Sequence, residues 1–287
     1  MPGTYAHYKF GKDVYKRVPE AIRLEIRKHL GLYEIGLHGP DILFYYKPLF
    51  KNRINGAGSA MHDRPAAEFF GPGVRMVRET GEDHGERAYL YGFLTHFILD
   101  SQCHGYVEEK RRASGISHSE IETEFDRMLM VEDGLDPVSR HLTDHIDPSR
   151  KNAAVIARFF PGISSAKVEK ALRSMKWYSD LLVAPGRGKR LFLKTALKVV
   201  GAYEGIGGMI VNYEPNPRCA DSCERLKELY EAGLAEAADM LPQFRQILRS
   251  GAELPSRYLR TFGAEEGEEK DESAGRNAEK IKKAYDI

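Results

Sequence analysis

Residues 89–104 read YLYGFLTHFILDSQCH, and this stretch decides how the whole chain is interpreted. Its apolar residues occur nearly all round a helical wheel, which predicts a helix buried on most sides. An α-helix turns by about 100° per residue, so positions four apart lie on one face. His96, Asp100 and His104 follow one another at that spacing. Burying three ionisable side chains in an apolar helix is costly unless something pairs them.

The rest of the chain is also predicted to be helical. Apolar residues recur at helical spacing, and we find neither strand alternation nor an internal repeat. We predict an all-α fold with a single multi-helix domain over residues 1–263 and an acidic, flexible tail over 264–287. Two interruptions are expected, a loop rich in Asn and Gly at 51–58 and a helix break at Gly71-Pro72-Gly73.

Composition and charge exclude several classes of protein. The 43 Lys and Arg residues balance 42 Asp and Glu, so a net charge of +1 gives no overall field for holding nucleic acid or an anionic membrane. No segment approaches the roughly 18 apolar residues of a membrane span, and the N-terminus has no apolar signal core. Three cysteines are too few for a disulfide framework. We therefore expect a cytoplasmic protein with no integral membrane segment.

A second set of potential metal ligands surrounds the central stretch. His118 and Glu122 lie one helical turn apart, and His7, Asp41 and His62 lie upstream. Imidazole nitrogen and carboxylate oxygen both bind zinc, at about 2.0–2.2 Å. Each residue also has a structural alternative, because buried histidines are often satisfied core residues and helices form His–carboxylate pairs on their surfaces. The residues alone make a helical metal site plausible and leave its chemistry open.

The order of these residues resembles that of a known family. The motifs are Gly39-Pro40-Asp41-Ile42, Ser59-Ala60-Met61-His62, His96-x-x-x-Asp100, His104 and His118-x-x-x-Glu122. Together they are similar to the zinc-dependent phospholipase C family, which shares its all-α fold and trinuclear zinc site with the S1/P1 nucleases. By motif, the resemblance covers about residues 4–125.

The resemblance implies a role for each candidate residue. One zinc site would have two aspartates and two histidines as ligands, namely Asp41, His62, His96 and Asp100. A second zinc site would have three ligands, namely His104, His118 and Glu122. His7 would bind a third ion, with Asp100 bridging, and Asp41 is similar to the family's proposed general base. Secreted members hold the third ion partly through an N-terminal Trp, whereas Trp177 is the only Trp here, so two zinc ions are expected and a third is left open.

The implied activity is phosphodiester hydrolysis, in which a hydroxide bridging two zinc ions attacks phosphorus. Tyr5, Phe44 and Tyr45 are candidates for a substrate-binding wall beside Asp41, suited to a choline head group or a stacked base. Core packing is the alternative for Phe44 and Tyr45. The expected partner is a phosphoester substrate, either a phospholipid head group or another phosphodiester.

Other functions on the same fold stay open. They are a cytoplasmic nuclease, a nucleotide or small-phosphoester hydrolase, and a non-catalytic zinc-binding descendant, with nucleic acid entering only as a substrate. The basic stretch 186–198 is expected to be an ordinary surface helix with a solvated Lys/Arg face, although contact with anionic lipid is the alternative. The oligomeric state is not indicated by the sequence.

Overall fold

The computed structural model describes residues 3–80 and 84–263, and helix α6, Glu86–Ser114, is its central element. Every residue of α6 from Ala88 to Asp100 is buried. Two further helices, α3 (Leu30–Gly36) and α12 (Ala220–Ser250), pack along it. The predicted buried helix is thus confirmed, and it carries His96, Asp100 and His104 at successive turns.

The described residues form α-helices and short 3-10 helices and contain no strand, which confirms the all-α prediction. The α-helices are α1 Thr4–Arg17, α2 Glu20–Lys28, α3 Leu30–Gly36, α4 Arg53–His62, α5 Ala67–Glu79, α6 Glu86–Ser114, α7 His118–Glu132, α8 Arg150–Ala157, α9 Ser165–Leu182, α10 Arg187–Val199, α11 Tyr203–Ile206 and α12 Ala220–Ser250. The 3-10 helices are Gly39–Tyr45, Gly207–Met209, Pro217–Cys219 and Ser256–Leu259.

Helices α3 and α6 approach closely because each has a glycine at the crossing. A Cβ atom on Gly36 would collide with the Tyr89 carbonyl, and one on Gly92 would collide with the Tyr33 carbonyl. The side chains of α6 beyond this crossing are therefore held at a fixed depth in the core.

The N-terminus of α1 is held by α7. The Asp126 carboxylate accepts hydrogen bonds from the backbone N–H groups of Tyr5 (2.9 Å) and Ala6 (2.8 Å). These bonds satisfy two of the donors that the start of a helix leaves unpaired. Burial raises the pKa of Asp126 to about 7, although the two N–H groups act in the opposite direction. The arrangement places His7, near the start of α1, against α6.

Two local predictions were wrong. The segment predicted as a loop begins helix α4, because the Asn52 side chain caps it by accepting hydrogen bonds from the N–H groups of Ile54 (3.0 Å) and Asn55 (3.2 Å). Helix α5 continues through Pro72 instead of breaking there. Its apolar side packs into the core, and this packing outweighs the local cost of proline.

Helix α10 lies on the surface with Arg187, Lys189 and Lys198 exposed, as expected, but Arg190 and its apolar residues depart from the expected pattern. It packs over a separate apolar cluster of Ala184, Leu193 and Ile210. Arg190 is buried, whereas Leu191 and Phe192 are exposed. None of the described helices is long and apolar enough to cross a membrane. The predicted acidic tail, 264–287, lies outside the described residues.

Candidate metal centre

Five of the predicted ligands converge at the middle of α6. Asp100 lies between three histidines that come from α1, α4 and α6 itself. Its Oδ1 is 3.1 Å from Nε2 of His7, and its Oδ2 is 3.1 Å from Nε2 of His96 and 3.6 Å from Nε2 of His62. Oδ1 of Asp41 is 3.2 Å from Nε2 of His62. Residues separated by up to 93 positions in the chain thus meet in one cluster.

The polar atoms of this cluster lie within ion-pair distance of one another but form no hydrogen bond among themselves. Thirteen buried side-chain N or O atoms of the described residues have no hydrogen-bond partner, and eight of them belong to the cluster. The eight comprise both ring nitrogens of His7 and His96, both carboxylate oxygens of Asp100, Oδ1 of Asp41 and Nε2 of His62. Buried polar atoms are normally paired, so this concentration requires a partner of another kind.

The donor set and its spacing fit a zinc ion. Ligands at about 2.0–2.1 Å from a tetrahedral ion lie roughly 3.3 Å from one another, and the N···O separations here are 3.1–3.6 Å. Two groups of three residues have ligand atoms within 4.8 Å of one another, namely His7, Asp41 and His96, and His62, His96 and Asp100. His62 donates from Nδ1 to the Gly58 carbonyl (2.8 Å), which leaves Nε2 as the lone-pair nitrogen facing the cluster.

The charges of the cluster favour an ionised Asp100 beside a neutral His7. Burial alone would raise the pKa of Asp100, but His96 and His7 hold it well below its usual value. Burial, assisted by His96, lowers the pKa of His7. For His62 burial acts in the same direction, yet the Asp41 carboxylate outweighs it and raises the pKa. Carboxylate and neutral imidazole are the protonation states that bind metal ions.

The other three predicted ligands form a second group beside the first. The rings of His104 and His118 have centroids 5.3 Å apart, and Nε2 of His118 donates to Oε1 of Glu122 at 2.9 Å. Burial lowers the pKa of His104 to about 4, so its imidazole is neutral. This group is more open than the first, because its three ligand atoms do not all lie within 4.8 Å of one another in the described structure.

A tight turn at Gly39 positions Asp41 beside the cluster. Gly39 adopts a φ of +46°, and a Cβ at this position would collide with the His96 ring. The Asp41 N–H donates to the His38 carbonyl (3.0 Å) within the 3-10 helix that follows. Glycine is therefore required here both for the backbone conformation and for the close approach to His96.

A cavity of about 620 Å³ opens beside the cluster and is lined by His7, Asp41 and Glu122. Of the three predicted substrate-contacting aromatics, Phe44 and Tyr45 line this cavity. Burial and the nearby Asp41 carboxylate raise the pKa of Tyr45 to about 12. Tyr5 does not line this cavity. Its ring is buried, and its hydroxyl donates a hydrogen bond to the Asp133 carboxylate (2.5 Å).

Sequence reasoning missed a histidine pair next to the cluster. Nε2 of His38 lies 2.7 Å from Nε2 of His145, so one of these nitrogens donates a hydrogen bond to the other. The Tyr8 ring stacks on His145 at 4.0 Å. His38 is the residue whose carbonyl receives the Asp41 N–H, so the pair supports the turn that carries Asp41. The only signal for it in the sequence was the position of His38 directly before Gly39-Pro40-Asp41.

Comparison with known proteins decides the family. The model of the zinc-dependent phospholipase C family matches residues 6–169, more than half of the chain. The chain belongs to the zinc-dependent phospholipase C family. The matched segment includes all eight candidate ligands and ends before α10, so α10 is not part of the family match. No curated protein and no solved structure gives a significant match.

Proposed function

We propose that this family member is a zinc-dependent phosphodiester hydrolase with two zinc ions and a third position at His7. The observation that carries the proposal is the set of eight buried N and O atoms that make no hydrogen bond and lie beside a cavity. Such atoms are costly in a protein interior unless a cation or a hydrogen-bond partner satisfies them.

The proposed ligand sets follow the geometry of the two groups. Asp41, His62, His96 and Asp100 would hold one ion, and His104, His118 and Glu122 would hold the other. Asp100 is suited to bridge toward a third position, because its Oδ1 faces His7 while its Oδ2 faces His62 and His96. Bound zinc would supply Lewis acidity and lower the pKa of a coordinated water toward neutrality.

Asp41 is the proposed general base. It is the carboxylate of the first group that lines the cavity, and its side chain is 17% exposed, so it can accept a proton from an attacking water. Its neighbour His62 is held by the Gly58 carbonyl and by the Phe44 ring, which stacks on it at 5.5 Å. These contacts fix the His62 side chain, and with it the position of Asp41 beside the cavity.

The cavity wall favours a phosphodiester that carries an apolar group. Beyond Asp41 the lining is largely aliphatic, with Leu182, Leu193 and Leu197 among its residues. Such a wall excludes water from the reacting phosphate, and the described residues that line it include no Lys or Arg to contact a nucleic acid backbone. A phospholipid is therefore preferred over a polynucleotide as the substrate class.

The test combines metal analysis with turnover. Elemental analysis of the purified protein should find about two zinc ions per chain, and His118→Ala should lower this number by about one. Asp41→Asn should reduce kcat/KM on bis(p-nitrophenyl) phosphate roughly 10²- to 10⁴-fold. The matched control is Asp180→Asn, because Asp180 also pairs with a histidine, His141, at 2.6 Å but on the exposed surface.

Three outcomes would separate the alternatives. Zinc retained without hydrolysis of any phosphodiester would contradict the enzyme and favour a binding protein. Cleavage of single-stranded DNA without release of a lipid head group would favour a nuclease. Protein without zinc after expression in zinc-supplemented medium would remove the basis of the proposal.

A further inference from the structure

Helix α10 presents an apolar face to solvent. Leu191 and Phe192 are each 70% exposed, Val199 is 81% exposed, and Val200 directly after the helix is 67% exposed. At about 100° per residue, Leu191, Phe192 and Val199 fall within roughly 100° of one another on the wheel. A surface helix of a globular protein normally shows the opposite pattern, with its apolar residues facing the core.

Contacts on the inner side fix this orientation. Nη2 of Arg190 donates to the carbonyls of Ala184 (3.2 Å) and Val211 (2.7 Å), and its guanidinium lies 4.0 Å from the Tyr213 ring centroid. Leu193 is buried next to Arg190. Rotating α10 to hide Phe192 would break these contacts and expose Leu193, so the outward apolar face is part of the fold.

Cations border this face. Arg187, Lys194 and Lys198 project along one side of it at helical spacing, and the chain has no Asp or Glu between residues 181 and 203. Arg187 and Lys198 are exposed, and Lys194 is half-buried. The combination of an apolar face with a basic border is typical of helices that lie in a membrane interface.

The face is continuous with the mouth of the cavity at the metal centre. Phe192 and Val200 line that cavity together with Leu49 and Trp177, which are 58% and 59% exposed. The apolar rim is defined here as these four residues together with Leu191 and Val199. Four of its six residues line the cavity that His7 and Asp41 also line.

We infer that the apolar rim is a docking face for the surface of an anionic phospholipid bilayer, with α10 lying along the interface. Charge complementarity selects this partner, because basic residues border the α10 part of the rim and no Asp or Glu lies between residues 181 and 203. A second copy of the chain fits less well, since a two-fold contact through this face would place the cations of one α10 against those of the other. The inference concerns binding and does not depend on turnover at the metal centre.

Vesicle binding tests the inference without a substrate assay. The full chain should sediment with vesicles of phosphatidylcholine containing about 30% phosphatidylglycerol at least ten-fold more tightly than with phosphatidylcholine alone, and raising the salt to about 0.5 M should weaken this binding. Trp177, the only Trp, reports directly on the rim, so its fluorescence should shift to shorter wavelength on binding.

Variants locate the surface. Leu191→Asp/Val199→Asp changes two exposed residues that do not line the cavity and should weaken vesicle binding at least ten-fold. Lys194→Glu/Lys198→Glu should abolish the preference for phosphatidylglycerol. The control is Val131→Asp on α7, a 57% exposed valine that does not line the cavity and should change nothing. Circular dichroism shows whether each variant is folded.

Three results would overturn the inference. The first is wild-type protein that binds neither vesicle, and the second is a Leu191→Asp/Val199→Asp variant that is folded and binds as tightly as wild type. The third is a dimer by light scattering that this variant converts to monomer without any vesicle binding, which would assign the rim to a second copy of the chain.

Discussion

Replacing Asp100 with Asn should remove most of the stabilisation that zinc gives to this fold. Both oxygens of Asp100 are buried and make no hydrogen bond, and they face His7 on one side and His62 and His96 on the other. Asn keeps the size of the side chain but has one neutral oxygen, so it can neither bridge nor neutralise cations. The variant therefore tests whether the cluster binds metal, independently of catalysis.

The size of the effect follows from linkage. A ligand at 100 times its Kd stabilises the folded state by about 2.7 kcal/mol per site. For the roughly 260 described residues, an unfolding entropy of roughly 2.1 cal/mol/K per residue converts this into a rise in Tm of about 5 °C per site. Because Asp100 contacts ligands of two proposed positions, Asp100→Asn should lose about 5–10 °C of the zinc-induced rise.

The measurement is the Tm of EDTA-treated protein with and without buffered zinc, for wild type, Asp100→Asn and Asp180→Asn. Each variant serves as its own reference, so a change in the metal-free Tm does not affect the comparison. Asp180→Asn should keep the full rise, since Asp180 pairs with His141 on the surface. An equal rise in wild type and Asp100→Asn would refute the assignment of this carboxylate to the metal centre.

Two further predictions concern the frame of the site. Gly39→Ala should destabilise the protein by about 2–4 kcal/mol in urea unfolding, because φ is +46° and the new Cβ would collide with the His96 ring. The control is Gly56→Ala in α4, which has open space around it and should be neutral or stabilising. Equal effects of the two substitutions would contradict the close-approach argument. Burial lowers the pKa of His145 to about 3, so the unfolded chain takes up this proton near pH 6.5 and the folded protein does not. The free energy of unfolding of the metal-free protein should therefore decrease as the pH falls from 6.5 to 3, by at most about 1.4 kcal/mol per pH unit from this group. His145→Gln should reduce this dependence on pH. An unchanged dependence would contradict the assignment of His145 as buried and neutral.

The central helix and the common face of its candidate ligands could be predicted because the signal is local. The i, i+4 spacing of His96 and Asp100 on an otherwise apolar helix sets both their common face and their burial. The start of α7 is also set locally, because the Ser117 side chain directly before the helix accepts a hydrogen bond from the Glu120 N–H. What spacing alone could not supply was the approach of His7, which depends on packing between helices distant in sequence.

The orientation of α10 shows why the remainder was inaccessible. Its sequence has one basic side and one apolar side, and periodicity does not say which side faces inward. The orientation is set by two backbone carbonyls outside regular helices, those of Ala184 and Val211, which accept hydrogen bonds from Arg190. A cation buried against carbonyls and an exposed Phe192 reverse the expectation from residue type alone.

The two ligand groups are mechanically linked through α7. This helix carries Glu122 of the second group and, one turn later, Asp126, which holds the first N–H groups of α1. Helix α1 in turn carries His7, whose Nε2 faces Asp100. A shift of α7 would therefore move a ligand of each group together, whereas His96 and Asp100 are fixed in α6. The candidate centre is thus built on α6, with its other ligands on α1, α4, α7 and the 3-10 helix Gly39–Tyr45, and the Asp126 carboxylate couples the positions of α1 and α7.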